Sequence, residues 1–192
     1  MAYVQASGSA EAYTAKHNVA VQDMMNQSHC LIPKHCSPAQ EKAHAVVGGH
    51  LQNITKGEIK FHAKHEWSGR SKVPYPQNIA KKHAGKFVHT SGCNASADIA
   101  AVVYAGSTDD CAYLVAWSVR DQHDGCRAVN KVYVEAGSID NYIEINWADI
   151  KCKLDESCET SYYVDESTGC EAFAKISHGH HAALVASFTN NC

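Results

Sequence analysis

The chain has 192 residues, 45% of them hydrophobic and 19% charged, with a formal net charge of −3. That length buries one real core, and the balance is globular and lacks the polarity of a disordered chain. Scattered basic residues under a weak negative charge exclude long-range attraction to nucleic acid, and no stretch approaches the roughly 20 apolar residues that a membrane-crossing helix needs.

The first residues, Met1-Ala2-Tyr3-Val4-Gln5-Ala6-Ser7-Gly8, carry neither a basic region nor the apolar run of a secretory signal, so the expected location is cytoplasmic. Tyr13, His17, Ala20 or Val21, and Met24 then recur at helical spacing, predicting a helix over Ala10 to Gln27. Ser37-Pro38-Ala39-Gln40 combines a Ser-x-x-Gln capping box with proline at the first helical position. A second helix is expected there, with Ala39, Ala43 and Val46/Val47 as its buried stripe and Gly48-Gly49 as its stop.

From His50 onward the hydrophobic period changes from helical to alternating. Leu51 to Thr55, a Lys56-Gly57 turn and Glu58 to Ser68 read as a hairpin, with Ile59, Phe61, Ala63, His65 and Trp67 on one face. Gly69 to Gly85 is a long connection whose Pro74-Tyr75-Pro76 breaks any ladder, and it is the first candidate for a functional loop. Strands follow at Lys86 to Ser91, Ala97 to Ala105, Cys111 to Arg120 and Asn130 to Ala136, bounded by turn formers. In the third of these, Tyr113, Val115, Trp117 and Val119 oppose Ala112, Leu114 and Ala116, which predicts a strand covered on both faces. Ser138 to Tyr142 reads as a loop, and Ile143, Trp147, Ile150 and Leu154 predict a short helix near 143–154. Cys158 to Val164, Cys170 to Ser177 and Ala182 to Thr189 close the chain as strands. The fold class is mainly β: an antiparallel β-sandwich with one or two N-terminal α-helices, residues 1–49 packing on 50–192 as one domain.

Asn53-Ile54-Thr55, His65-Glu66-Trp67-Ser68-Gly69, Pro74-Tyr75-Pro76, Lys86-Phe87-Val88-His89, Ala100-Ala101-Val102-Val103-Tyr104-Ala105-Gly106 and Ala116-Trp117-Ser118-Val119 occur in this order. The ordered set resembles the plant twenty-three-kilodalton jasmonate-induced protein family over roughly Asn53 to Ser177. The resemblance implies a stress- or defence-inducible plant protein. The order of elements is also similar, at the level of architecture, to the actinoporin and aegerolysin β-sandwiches that recognise lipid head groups.

No Gly-x-Ser-x-Gly elbow, phosphate-cradling loop, His-Glu-x-x-His or dinucleotide fingerprint is present, so no catalytic residue is assigned. The expected role is binding of a small polar ligand, glycan or lipid head group, with Trp67, Tyr75 and Tyr142 as aromatic contacts. The alternative is a metal-binding protein or metal-dependent enzyme. Thirteen histidines include His29-Cys30, His35-Cys36, His178 and His180, and imidazole with thiolate suits copper or zinc. His62 and His65, three apart, point to opposite faces unless the strand is bulged. Nine cysteines are read mainly as thiols, with Cys30/Cys36 and Cys152/Cys158 as the short-loop disulfides of a secreted alternative. The glycosylation tripeptides at Asn26, Asn53 and Asn94 are read as chance.

Overall fold

A computed structural model describes residues 19–32, 45–92, 95–107, 110–120 and 129–190. Two sheets stack face to face. The first has six strands in the spatial order β3 (Arg70–Val73), β5 (Ala84–Thr90), β1 (Val46–Asn53), β11 (His181–Asn190), β10 (Cys170–Ile176) and β9 (Thr160–Asp165). The second has five, in the order β4 (Asn78–Ile79), β2 (Ile59–Ser68), β6 (Ala97–Gly106), β7 (Cys111–Arg120) and β8 (Lys131–Ser138). The ladders are antiparallel except between β1 and β11, which run parallel.

Alternation along each strand explains the layers. Val47, Leu51, Phe87, Ala172, Ala174, Leu184 and Phe188 from the first sheet meet Val102, Tyr104, Tyr113, Val115, Trp117 and Val134 from the second in one inner core. The outer faces are apolar too, and each is covered by a helix. Helix α1 (19–29) lays Val21, Met24 and Met25 on Phe173, Ala183 and Val185 of the first sheet. Helix α2 (Trp147–Glu156) lays Ile150 and Leu154 on Ala112, Leu114 and Ala116 of the second, beside Tyr133 and Tyr142. Strand β7 is therefore buried on both sides up to Val119, as its sequence predicted. Among the described residues no helix is long and apolar enough to cross a membrane.

Several expectations are corrected. Val46 to Gly49 belong to β1 and do not end a helix, and Ala45 before them is not helical; residues 37–44 of the expected second helix, together with 10–18 of the first, lie outside the described residues. The two glycines serve approach on opposite faces. A methyl group on Gly48 would collide with the Ser28 carbonyl of α1, and one on Gly49 with the Phe87 ring in the core. The expected hairpin is instead an arch between sheets, because β1 and β2 lie in different sheets. Asn53 fixes that arch: its Nδ2 donates to the Gly57 and Ile79 carbonyls at 2.8 Å each, and its Oδ1 accepts from Thr55 N at 2.9 Å and Thr55 Oγ1 at 2.7 Å. The side chain is fully buried, so the Asn53 tripeptide is a structural motif and its amide is closed to glycosylation.

In β2 the register shifts between Phe61 and Ala63. Before the bulge Ile59 and Phe61 face the inner core; beyond it Ala63 and Trp67 pack on the outer cluster. The single-face reading of Ile59 to Trp67 is thus overturned, because an extra residue inverts the alternation. The reading of the cysteines mainly as thiols has one exception among the described residues: Cys111 on β7 and Cys170 on β10 form a disulfide between the two sheets, 59 residues apart. Cys152 and Cys158, the pair suggested by spacing, are free and exposed, as is Cys30.

Candidate functional site

Two constellations of polar groups stand out, one sealed between the sheets and one open on an outer face. The sealed one gathers the family-like motifs. His89 on β5 places Nδ1 2.5 Å from Asp98 Oδ1 on β6 and Nε2 3.3 Å from Glu66 Oε1 on β2, which also accepts from Lys64 Nζ at 2.9 Å. His89 and Asp98 are fully buried. Tyr75 stacks over the imidazole at 6.2 Å between ring centroids, and Trp117 meets it edge-on at 5.5 Å. Burial pushes the Asp98 carboxyl up from its ordinary value, against the opposing pull of His89 and the Trp117 indole N–H. Burial acts on Glu66 in the same sense, but the Lys64 bond and the His89 charge outweigh it and hold that carboxyl below the usual range. Gly69 makes room for the pair: at φ +99° it tolerates a conformation that side chains avoid, and a Cβ there would lie 2.9 Å from His89 Cε1 and 3.0 Å from Asp98 Oδ1. This arrangement ties the two sheets together, with His89 and Asp98 closed to solvent while Glu66 and Lys64 reach the surface.

The open constellation lies on the outer face of the second sheet. Ser138 caps a 3-10 helix, Ile139–Tyr142, by accepting from Asp140 N at 3.3 Å, and Asn146 caps α2 by accepting from Asp149 N at 3.3 Å. These two caps turn the chain over β8 and frame a pocket of about 310 Å³. Its wall includes Glu135, Tyr142, Glu144, Asp149, Lys153 and Tyr163. Lys153 Nζ donates to Glu135 Oε1 and Asp149 Oδ2 at 2.8 Å each, and the Tyr133 hydroxyl donates to Glu135 Oε1 at 2.5 Å. Burial, aided by the Glu135 and Asp165 carboxylates and opposed by Lys153, keeps Tyr163 a neutral phenol. Three carboxylates against one ammonium leave the wall net negative.

Beside the pocket, at the start of α2, Trp147 stacks on His65 at 5.2 Å and meets Trp67 edge-on at 6.3 Å. His62 Nε2 lies 3.2 Å from the Tyr142 carbonyl oxygen, so the bulge brings His62 and His65 onto the same outer face. Of the three aromatic contacts expected from sequence, Trp67 and Tyr142 therefore share this face. Tyr75 does not join them; its ring is 4% exposed, packed among Phe61, Phe87 and Trp117 in the inner core. Glu135, Asp149 and Lys153 were not singled out by sequence reasoning. The available signal was small: Glu135 is a lone acid in an apolar strand, and Asp149 and Lys153 are a helical i,i+4 pair.

His29 and Cys30 are exposed at the end of α1, and His35 and Cys36 lie outside the described residues. His178 is 2.7 Å from Glu159 Oε1, and His180 packs against His181 at 4.3 Å. Among the described residues no group of three or more metal-ligating side chains converges.

Comparison with known proteins supplies the family. The model of the Nakanori-like protein family matches residues 9–189. The jasmonate-induced protein homolog of Atriplex canescens is 31% identical over 154 residues, covering 78% of this chain and 81% of that protein. The crystal structure of the lipid binding protein Nakanori superposes with a TM-score of 0.72 over 92% of this chain and 84% of that one. Its 14% sequence identity makes that likeness one of fold.

Proposed function

The chain belongs to the Nakanori-like protein family, and from that premise we propose that it is a non-catalytic binding protein that takes a lipid head group in the pocket between the 3-10 helix, α2 and β8. One observation carries the reading: the pocket joins a net-negative wall to aromatic side chains on a single outer face of the sandwich. Carboxylates beside aromatic rings favour a cationic ammonium group, which gains charge attraction and contact with ring faces together. The same wall disfavours a head group whose net charge is negative. The fold relative is itself named a lipid binding protein, and the Atriplex relative a jasmonate-induced one. Both names support a binding role in a plant stress or defence response.

Vesicle co-sedimentation tests the reading. The protein is expected to pellet with phosphatidylcholine vesicles more than with phosphatidylserine vesicles, and Glu144→Lys, which replaces a negative by a positive charge at an exposed position of the wall, is expected to weaken the former about tenfold, the equivalent of about 1.4 kcal/mol. Preference for phosphatidylserine, or unaltered binding by Glu144→Lys, overturns it.

A further inference from the structure

The outer face of the first sheet carries a buried titratable group that neither constellation uses. His50 lies on β1 two residues beyond Gly48, on the face that α1 covers, and is 5% exposed. Both of its neighbours across the ladders are tied to that helix. Val185 on β11 packs with Val21, Met24 and Met25, and Lys86 on β5 donates from Nζ to Gln27 Oε1 at 3.1 Å. Ser28 on α1 adds a hydroxyl bond to the Leu184 carbonyl at 3.4 Å, and Gly48 lets the helix backbone approach. His50 is thus enclosed where α1, β5 and β11 meet.

Among the described residues its buried Nδ1 has no hydrogen-bond partner. A neutral ring tolerates this, because an unprotonated nitrogen forgoes only an acceptor role. An imidazolium would hold an unsatisfied charged donor in an apolar layer beside a second cation. Lys86 is the charged group that acts on the ring; α1 carries Asp23 and His29 on exposed positions, and β11 offers Val185. Burial first, and Lys86 second, lower the pKa of His50 from 6.5 to about 4.

We propose that His50 is an acid-sensitive catch for α1, whose protonation releases the helix from the first sheet and uncovers Phe173, Ala183 and Val185. The device is independent of the pocket, which lies on the opposite outer face. A ring that titrates at 6.5 when free and at about 4 when covered binds protons more readily in the released state. Docking is therefore at full strength above pH 6.5 and weakens as pH falls toward 4, by about thirtyfold between pH 7.5 and pH 5.

Hydrogen–deuterium exchange of the full chain, corrected for the intrinsic pH dependence of amide exchange, reads this directly. Protection across 19–29 is expected to fall about thirtyfold from pH 7.5 to pH 5 while β7 keeps its protection, and His50→Gln is expected to abolish the fall. Lys86→Gln, which removes the second cation, should make the fall smaller. Equal protection at the two pH values in the wild type, or an undiminished fall in His50→Gln, overturns the proposal. Should His50→Gln fail to fold, NMR titration of the wild-type ring decides: titration near 4 with loss of α1 protection supports the catch, and titration near 6.5 with α1 still docked refutes it.

Discussion

Replacing His89 by leucine would strip both carboxylates of the group that joins them. In the wild type the ring spans Asp98 at 2.5 Å and Glu66 at 3.3 Å, with Asp98 wholly out of solvent. Removing one partner of a buried ion pair leaves an uncompensated charge, at about 3–5 kcal/mol. Against the ~5–15 kcal/mol that holds a domain folded, this is a large fraction. With a urea slope of ~2 kcal/mol/M, the midpoint should fall by roughly 1.5–2.5 M. The indole of Trp117 touches the ring edge-on, so its fluorescence is a natural probe of the transition. The double variant His89→Leu with Asp98→Leu should recover most of the loss, since apolar replacement of both partners is close to neutral. The pH dependence has a definite sign. Burial already raises the Asp98 carboxyl in the wild type, and loss of the imidazole raises it further. An acid whose folded pKa exceeds its unfolded one takes up a proton on folding, so the single variant should gain stability as pH falls from 7 toward 5. A loss below about 1 kcal/mol, or a double variant no more stable than the single one, would refute the reasoning.

Three further outcomes follow from the fold. Gly69→Ala puts a methyl group 2.8 Å from the Thr90 carbonyl at a positive φ, and thermal unfolding should register a loss of about 1–3 kcal/mol. Reducing the Cys111–Cys170 bond frees a loop of 59 residues, and chain-entropy reasoning gives a destabilisation of about 4 kcal/mol, measurable as a lower Tm after reduction and alkylation. Asn53→Ala leaves the Gly57 and Ile79 carbonyls without their side-chain donor, and chemical denaturation should show a loss of about 2–4 kcal/mol.

The strands were largely legible because alternation is a local signal. Cys111–Arg120 was read to the residue, with both faces assigned as they occur. Where the local signal has two meanings, the reading went astray. Gly48-Gly49 is a good helix stop in isolation, and only the packing reveals that each glycine admits a neighbour from a different side of one strand. The bulge after Phe61 leaves no mark in composition, yet it reverses the facing of β2 until a second shift between Glu66 and Ser68. His89 and Asp98 sit nine residues apart on strands of different sheets, and nothing in their spacing says they will meet. Trp67 and Tyr142 were singled out for being aromatic; that they share a face is a product of topology, and the acids around them became visible only once α2 was placed over β8.

The parallel pairing of β1 with β11 sets the order in which the molecule can be completed. Val46 lies opposite His181, and Asn53 opposite Phe188, so the central seam of the first sheet waits for one of the last described segments to be synthesised. Until then β1 has β5 on one side and an open backbone edge on the other, next to hydrophobic side chains that have nothing to cover them. A nascent chain stalled before β11 would hold one sheet whole and the other split into β3-β5-β1 and β10-β9, with two unpaired backbone margins exposed to misassembly.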